Sequence, residues 1–251
     1  MVIEGRKVRP FGRPRFPRHS LGACYLPTVR RPRFIRPYGS AALLLDWEPL
    51  IDEGISRSVH AYAAAIAAHP AVVECVPGYA SLLVEFRPDR SSAYQLREYI
   101  YAARVAPSEQ LSTYHSVPVR YGGSAGPDLE AVAAATGLSA EAVIELHGSR
   151  DYLVYLLGFR PGFAFLGPTD ERLAVDRRAS PRARVPAGAV GLASRQTGIY
   201  PGDCPGGWQL IGQCPLPLVD AEGRPRFRAG DRVRFYSIDE AEFIRLNQLK
   251  A

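Results

Sequence analysis

VPAGAVGLASRQTGIYPGDCPGGWQLIGQCPLPLVD, residues 185–220, holds too many glycines and prolines for helix, and its apolar residues fall in short β-type runs. Between the runs stand Arg195, Gln196, Thr197, Tyr200, Asp203, Trp208 and Gln213. Polar and aromatic groups spaced by glycines describe short strands walling a groove, because glycine lets a backbone or a ligand come close. A second dense patch lies upstream, Gly158-Phe159-Arg160-Pro161-Gly162-Phe163.

Outward from this stretch, the chain from Tyr152 on reads as all-β. Strands are expected at residues 152–159, 189–193, 208–212 and 231–236, with a short last helix over 238–249. Short strands with frequent Gly/Pro punctuation predict a compact barrel. Just ahead stand a strand at 116–121 and two helices. Pro127 and Asp128 open the first helix, Gly137 closes it, and Ser139 caps the second with Glu141 in its first turn. The pair has the outline of a DNA-binding helix-turn-helix. Its second helix, however, carries Glu141 and Glu145 and no Lys or Arg, a face that repels phosphate. Two packed helices bridging domains is the expected arrangement, and nucleic acid is not an expected partner.

The N-terminal half has a different rhythm. A strand over 41–47 precedes a helix with Ile55, Val59, Tyr62 and Ile66 on one face, which Pro70 stops. Strands at 72–76 and 81–86 flank the turn Pro77-Gly78-Tyr79. A second helix presents Leu96, Tyr99, Ile100 and Ala103. The order β-α-β-β-α predicts a ferredoxin-like α+β sandwich, with room for a further strand after it. The expected division is an Arg/Pro-rich extension over 1–36, an α+β domain over 37–108, and a barrel domain over 109–251 that includes the helical pair at 127–147.

Bulk properties fit a soluble globular chain with one large or two small domains. The chain has 251 residues, 47% hydrophobic and 22% charged, and no apolar run near the ~20 residues a membrane span needs. The four cysteines show no C-x-x-C spacing, which argues against a zinc site or disulfide framework and makes the cytoplasm the default location. Residues 1–36 hold nine Arg and Lys7 against Glu4, whereas the whole chain is only +6, so the basicity belongs to the extension. That extension lacks periodicity and an apolar core, and reads as solvated rather than as a secretory signal.

The segments YGGSAGPDLEAVA, GLSAEAVIELH, GFRPGFAFL, SPRARVPAGAVGLASRQTGIYP and CPGGWQLIGQCPLPLVD, in this order, resemble the allophanate hydrolase subunit 1 / KipI family. The resemblance runs over about residues 36–238. It implies an N-terminal α+β domain and a C-terminal cyclophilin-like β-barrel. It also implies a subunit of a heteromeric, ATP-dependent 5-oxoprolinase working with subunits C and A on 5-oxoproline. ATP, with Mg²⁺, would be shared with those subunits. A second expectation, from the same family, is a KipI-like inhibitor that binds a sensor histidine kinase through the barrel groove. The chain departs from the family pattern at Phe165, Ser194, Cys204 and Cys214, where Tyr, Gly, Ser and Thr are usual.

No Walker loop, G-x-S-x-G elbow or metal-ligand spacing occurs, so the chain lacks a complete catalytic set of its own. Activating a lactam with ATP needs cations and hydrogen-bond donors aimed at developing oxyanions. Arg182 is the candidate clamp for a carboxylate or phosphate. Gln196 is a candidate catalytic amide, and Thr197 would help it orient the small substrate. His147 is a candidate acid/base or hydrogen-bonding group. Phe163, Tyr200 and Trp208 are the candidate aromatic walls. The structural alternatives are loop solvation for Arg182, a helix-dipole role for His147 and core packing for the aromatics.

Overall fold

The computed structural model describes residues 28–107 and 112–248. The expectation for residues 1–27 lies outside the described residues. The first layer contains β1 (Phe34–Pro37), β2 (Ala42–Asp46), α1 (Glu53–Ala67), β3 (Val72–Pro77), β4 (Ser81–Phe86) and α2 (Ala93–Ala102). Strand order is β1-β2-β4-β3 with every pair antiparallel, so β4 inserts between the strands joined through α1, as a ferredoxin-like unit requires. Leu43, Leu45, Leu82, Val84 and Phe86 alternate onto one face and pack with Ile55, Val59, Ile66, Leu96 and Ile100 of the helices. Asp52 caps α1, its carboxylate accepting from the Ile55 amide at 2.9 Å.

Two expectations are corrected here. The further strand comes from ahead of the unit rather than after it: β1 forms the edge beside β2. The α+β unit therefore includes residues ahead of 37. Arg30 is already tied in, its carbonyl accepting from the Trp47 indole at 2.8 Å and its guanidinium pairing with Asp52 at 3.0 Å.

The second layer is a closed barrel. Its strands are β5 (Tyr114–Tyr121), β6 (Tyr152–Leu157), β7 (Ala164–Gly167), β9 (Ala189–Ala193), β10 (Gln196–Ile199), β12 (Gln209–Gln213) and β13 (Arg232–Ser237). Around the barrel they run β10-β7-β6-β13-β5-β12-β9, and β9 pairs back with β10 to close it. This is the cyclophilin-like architecture the resemblance implies. β8 (Arg182–Val185) and β11 (Cys204–Gly206) form a separate two-stranded ribbon. The helical pair is α3 (Leu129–Thr136) and α4 (Ala140–Gly148), with Gly137 left-handed at φ +69° between them and the Ser139 hydroxyl capping α4. Both helices pack on the barrel, α3 against β12 and α4 against β13. A last helix, α5, covers Glu240–Gln248.

Among the described residues, Arg232, His60 and Tyr79 each join the two layers. Arg232 makes a bidentate pair with Glu53 at 2.9 and 2.6 Å. His60 donates through Nε2 to the Tyr155 carbonyl at 2.9 Å, and burial keeps its imidazole below its usual pKa and so neutral. Tyr79, in the β3–β4 turn, places its ring 5.4 Å from Tyr155 and 6.1 Å from Phe165. Among the described residues no helix is long and apolar enough to cross a membrane.

Candidate functional site

The ribbon, the β6–β7 turn and the start of β12 enclose a cleft of about 460 Å³. Its floor is aromatic. Phe163 stands edge-on to Trp208 at 5.5 Å, to Tyr200 at 5.2 Å and to Phe165 at 4.8 Å, the offset geometry aromatic pairs prefer. Local sequence permits this packing at two glycines. A Cβ on Gly198 would stand 3.1 Å from Phe163 and 3.2 Å from Trp208, so the rings lie on β10 only because that position is bare. A Cβ on Gly206 would fall 2.5 Å from the Tyr200 hydroxyl.

The rim is cationic: Arg177 and Arg178 line the cleft with Pro181, Pro205 and Phe159, and among the described residues no acidic side chain lines it. Beneath the rim, Asp128 holds two arginines. Its Oδ1 accepts from Arg182 at 2.7 Å and from Arg178 at 3.4 Å, while its Oδ2 accepts from the Leu210 amide at 2.6 Å. Arg177 has no hydrogen bond or ion pair among the described residues. Burial pushes the hydroxyls of Tyr79 and Tyr200 above the usual tyrosine range, and the Arg177 charge opposes that at both. One cation with no carboxylate partner thus acts on both tyrosines.

The residues expected in the site divide into two groups. Phe163, Tyr200 and Trp208 come together as the floor. Gln196 opens β10 on the side facing the N-terminal layer, with its side chain against the Tyr79 hydroxyl. Arg182 donates through Nη2 to Asp128 beneath the ribbon, while its Nη1 is buried with no hydrogen-bond partner among the described residues. Asp128, expected to open α3, makes no side-chain cap and serves the arginines and Leu210 instead.

His147 and Thr197 are corrected outright. His147 is fully buried, stacked on Phe235 at 4.5 Å. Tyr121 donates to its Nδ1 at 2.7 Å, its Nε2 donates to the Thr197 hydroxyl at 2.8 Å, and that hydroxyl donates to the Gly191 carbonyl at 3.1 Å. Every partner in this relay is internal, and burial pulls the imidazole down to about 3. The pair is a core polar network, not an acid/base or a substrate contact.

Sequence reasoning misses Arg177, Arg178, Phe159, Phe165 and Tyr79. The arginine doublet stands in the same Arg-rich segment as Arg182, so the sequence points to the segment but not to the member that faces the cleft. Tyr79 lies in another domain, and only the docking of the two layers brings it near. The β7, β8, β10 and β11 strands also escape sequence reading, because three or four residues carry too little periodicity.

The cleft suits a small ligand with a flat apolar body and an anionic group. It lacks a nucleophile with an adjacent base. Cys204 is buried and its thiol is raised above its usual pKa, so it is not a thiolate at neutral pH. Among the described residues no group of three or more His, Cys, Asp or Glu side chains could hold a metal ion.

Comparison with known proteins agrees with this architecture. The family model "Carboxyltransferase domain, subdomain C and D" matches residues 33–228. The chain is 43% identical over 201 residues to the 5-oxoprolinase B subunit of Escherichia coli O157:H7, covering 78% of this chain and 92% of that one. It is 38% identical over 231 residues to the 5-oxoprolinase B subunit of Bacillus subtilis strain 168, covering 83% and 94%. The crystal structure of TTHA0988 superposes with a TM-score of 0.71 at 37% identity. That match covers 82% of this chain but 40% of TTHA0988, so this chain spans about two fifths of that protein's length. The α+β layer, the closed barrel and these likenesses lead to one assignment: the chain belongs to the carboxyltransferase domain, subdomain C and D, family.

Proposed function

We propose that this chain is the B subunit of a heteromeric, ATP-dependent 5-oxoprolinase and that its barrel cleft holds 5-oxo-L-proline. The complex would convert 5-oxo-L-proline, ATP and water to L-glutamate, ADP and phosphate. The observation that carries the reading is the pairing of an aromatic floor with the uncommitted Arg177. The lactam ring packs on Phe163 and Trp208, and its carboxylate meets Arg177, which no carboxylate of the described residues neutralises. Relatives that bear the name of the 5-oxoprolinase B subunit support the same assignment.

A lactam carbonyl resists water because its carbon is a poor electrophile. ATP would phosphorylate the carbonyl oxygen, releasing ADP; water then adds to the activated carbon, the ring C–N bond breaks with the nitrogen leaving as the amine, and a second water hydrolyses the resulting acyl phosphate to L-glutamate and phosphate. The cleft positions the ring, excludes water from its apolar side and holds the negative charge. Partner subunits C and A supply the remaining acid, base and phosphate-binding groups, in keeping with the absence of a nucleophile–base pair in the cleft. Mg²⁺ would reach the site bound to the phosphates of ATP.

The test is reconstitution of the chain with subunits A and C, followed by oxoproline-dependent ATP hydrolysis. The mixture should be active and each part inactive. Arg177→Met should raise the KM for 5-oxoproline by about 10- to 100-fold, the scale of one charge-assisted contact, with thermal stability unchanged. An inactive reconstituted complex would refute the proposal. Inhibition of a sensor kinase by such a preparation would establish the inhibitor reading instead.

A further inference from the structure

The β6–β7 turn, Gly158 to Phe163, holds its one exposed aromatic in a backbone conformation that side chains avoid. Phe159 has φ +67°, in the left-handed region where Cβ crowds the carbonyl oxygen. Three hydrogen bonds keep it there: Arg160 N–H to the Gly158 carbonyl at 2.8 Å, Phe163 N–H to the Arg160 carbonyl at 3.0 Å, and Gly158 N–H to the Phe163 carbonyl at 3.1 Å. Glycine or asparagine would fit this position with less strain.

The Phe159 ring does not offset that strain by packing. It is 63% exposed, while Phe163, Tyr200 and Trp208 beside it are at most 5% exposed. Among the described residues its one ring partner is Phe163, met edge-on at 5.6 Å. The ring nevertheless lines the cleft, as Arg177 does. Strain kept at a cleft without a packing return points to a ligand that completes the packing.

We propose that Phe159 is a specificity-determining residue whose ring closes over the flat face of the bound lactam while Arg177 holds its carboxylate. The inference rests on the 5-oxoproline reading of the same cleft and adds the residue that selects a planar ring. Linear amides and non-planar rings lose this contact, so the preference of the site for a flat five-membered lactam resides in Phe159.

The experiment compares Phe159→Gly, Phe159→Asn and Phe159→Tyr in the complex reconstituted with subunits A and C. KM and kcat for 5-oxo-L-proline are measured alongside the melting temperature of each chain. Glycine and asparagine relieve the backbone while removing the ring. They should raise KM about 10-fold, leave the melting temperature unchanged or higher, and leave assembly intact. Tyrosine, which keeps the ring, should stay within about 2-fold of the parent. An unchanged KM in the glycine and asparagine variants overturns the proposal. So does a drop in melting temperature in both, which would make the ring core packing, or a loss of assembly, which would make it a subunit contact. A parent complex with no oxoproline-dependent activity removes the reading of the cleft itself, and the proposal with it.

Discussion

Replacing His147 with glutamine should change how stability depends on pH more than it changes the cleft. The imidazole is neutral when folded and is pulled down to about 3 by complete burial, whereas an unfolded histidine titrates near 6.5. Between those values the unfolded chain binds a proton that the folded chain refuses, so stability falls as the pH falls. The slope is about 1.4 kcal/mol per pH unit, or about 2 kcal/mol lost from this one group between pH 6.5 and pH 5. His147→Gln breaks the Tyr121–His147–Thr197 relay and should cost about 1–3 kcal/mol at about pH 7.5. It also removes the titrating group. The stability gap between parent and variant should therefore shrink by about 2 kcal/mol between about pH 7.5 and pH 5. Urea unfolding at several pH values, followed by circular dichroism, measures that gap. His60 is also held below its usual value but is present in both proteins, so its effect cancels in the difference. A gap that stays constant, or widens in acid, would refute the buried neutral relay.

Asp128→Ala leaves Arg178 and Arg182 without their carboxylate and the Leu210 amide without its acceptor, at a cost of about 2–3 kcal/mol in thermal unfolding. Asp128→Asn, which can still accept from Leu210, should lose less, and equal losses would count against the bracing role. Gly206→Ala drives a methyl group into the Tyr200 ring and should cost about 1–3 kcal/mol while raising the KM for 5-oxoproline. Gly202→Ala, where a Cβ meets nothing within 4 Å, is the control and should match the parent in both measurements.

Much of this architecture is legible in local patterns. Strand alternation, helical spacing and caps depend on a few neighbouring residues, so β2, α1, β4, α4 and β9 form close to where their periodicity places them. Ser194 illustrates the same point from the other side. The family pattern favours glycine there, and the residue adopts φ +51° in the turn between β9 and β10, a conformation glycine takes at least cost. The aromatic floor is legible too, because Phe163, Tyr200 and Trp208 stand in the glycine-spaced segments that wall the groove.

What the amino-acid order determined alone is therefore the set of elements, the barrel's punctuation and the segments that supply the cleft. Tertiary structure decided which side chains in those segments face the cleft. Asp128 reaches Leu210 across 82 positions and Glu53 reaches Arg232 across 179, and no local period encodes such pairings. Asp128, held in this way, takes one nitrogen of Arg182, while Arg177 makes no ion pair among the described residues. Burial, which depends on the whole fold, turns His147 from a candidate acid into a neutral core residue. A side chain's type is written in the chain, but its charge state and its partners are set by the water and the neighbours that folding leaves around it.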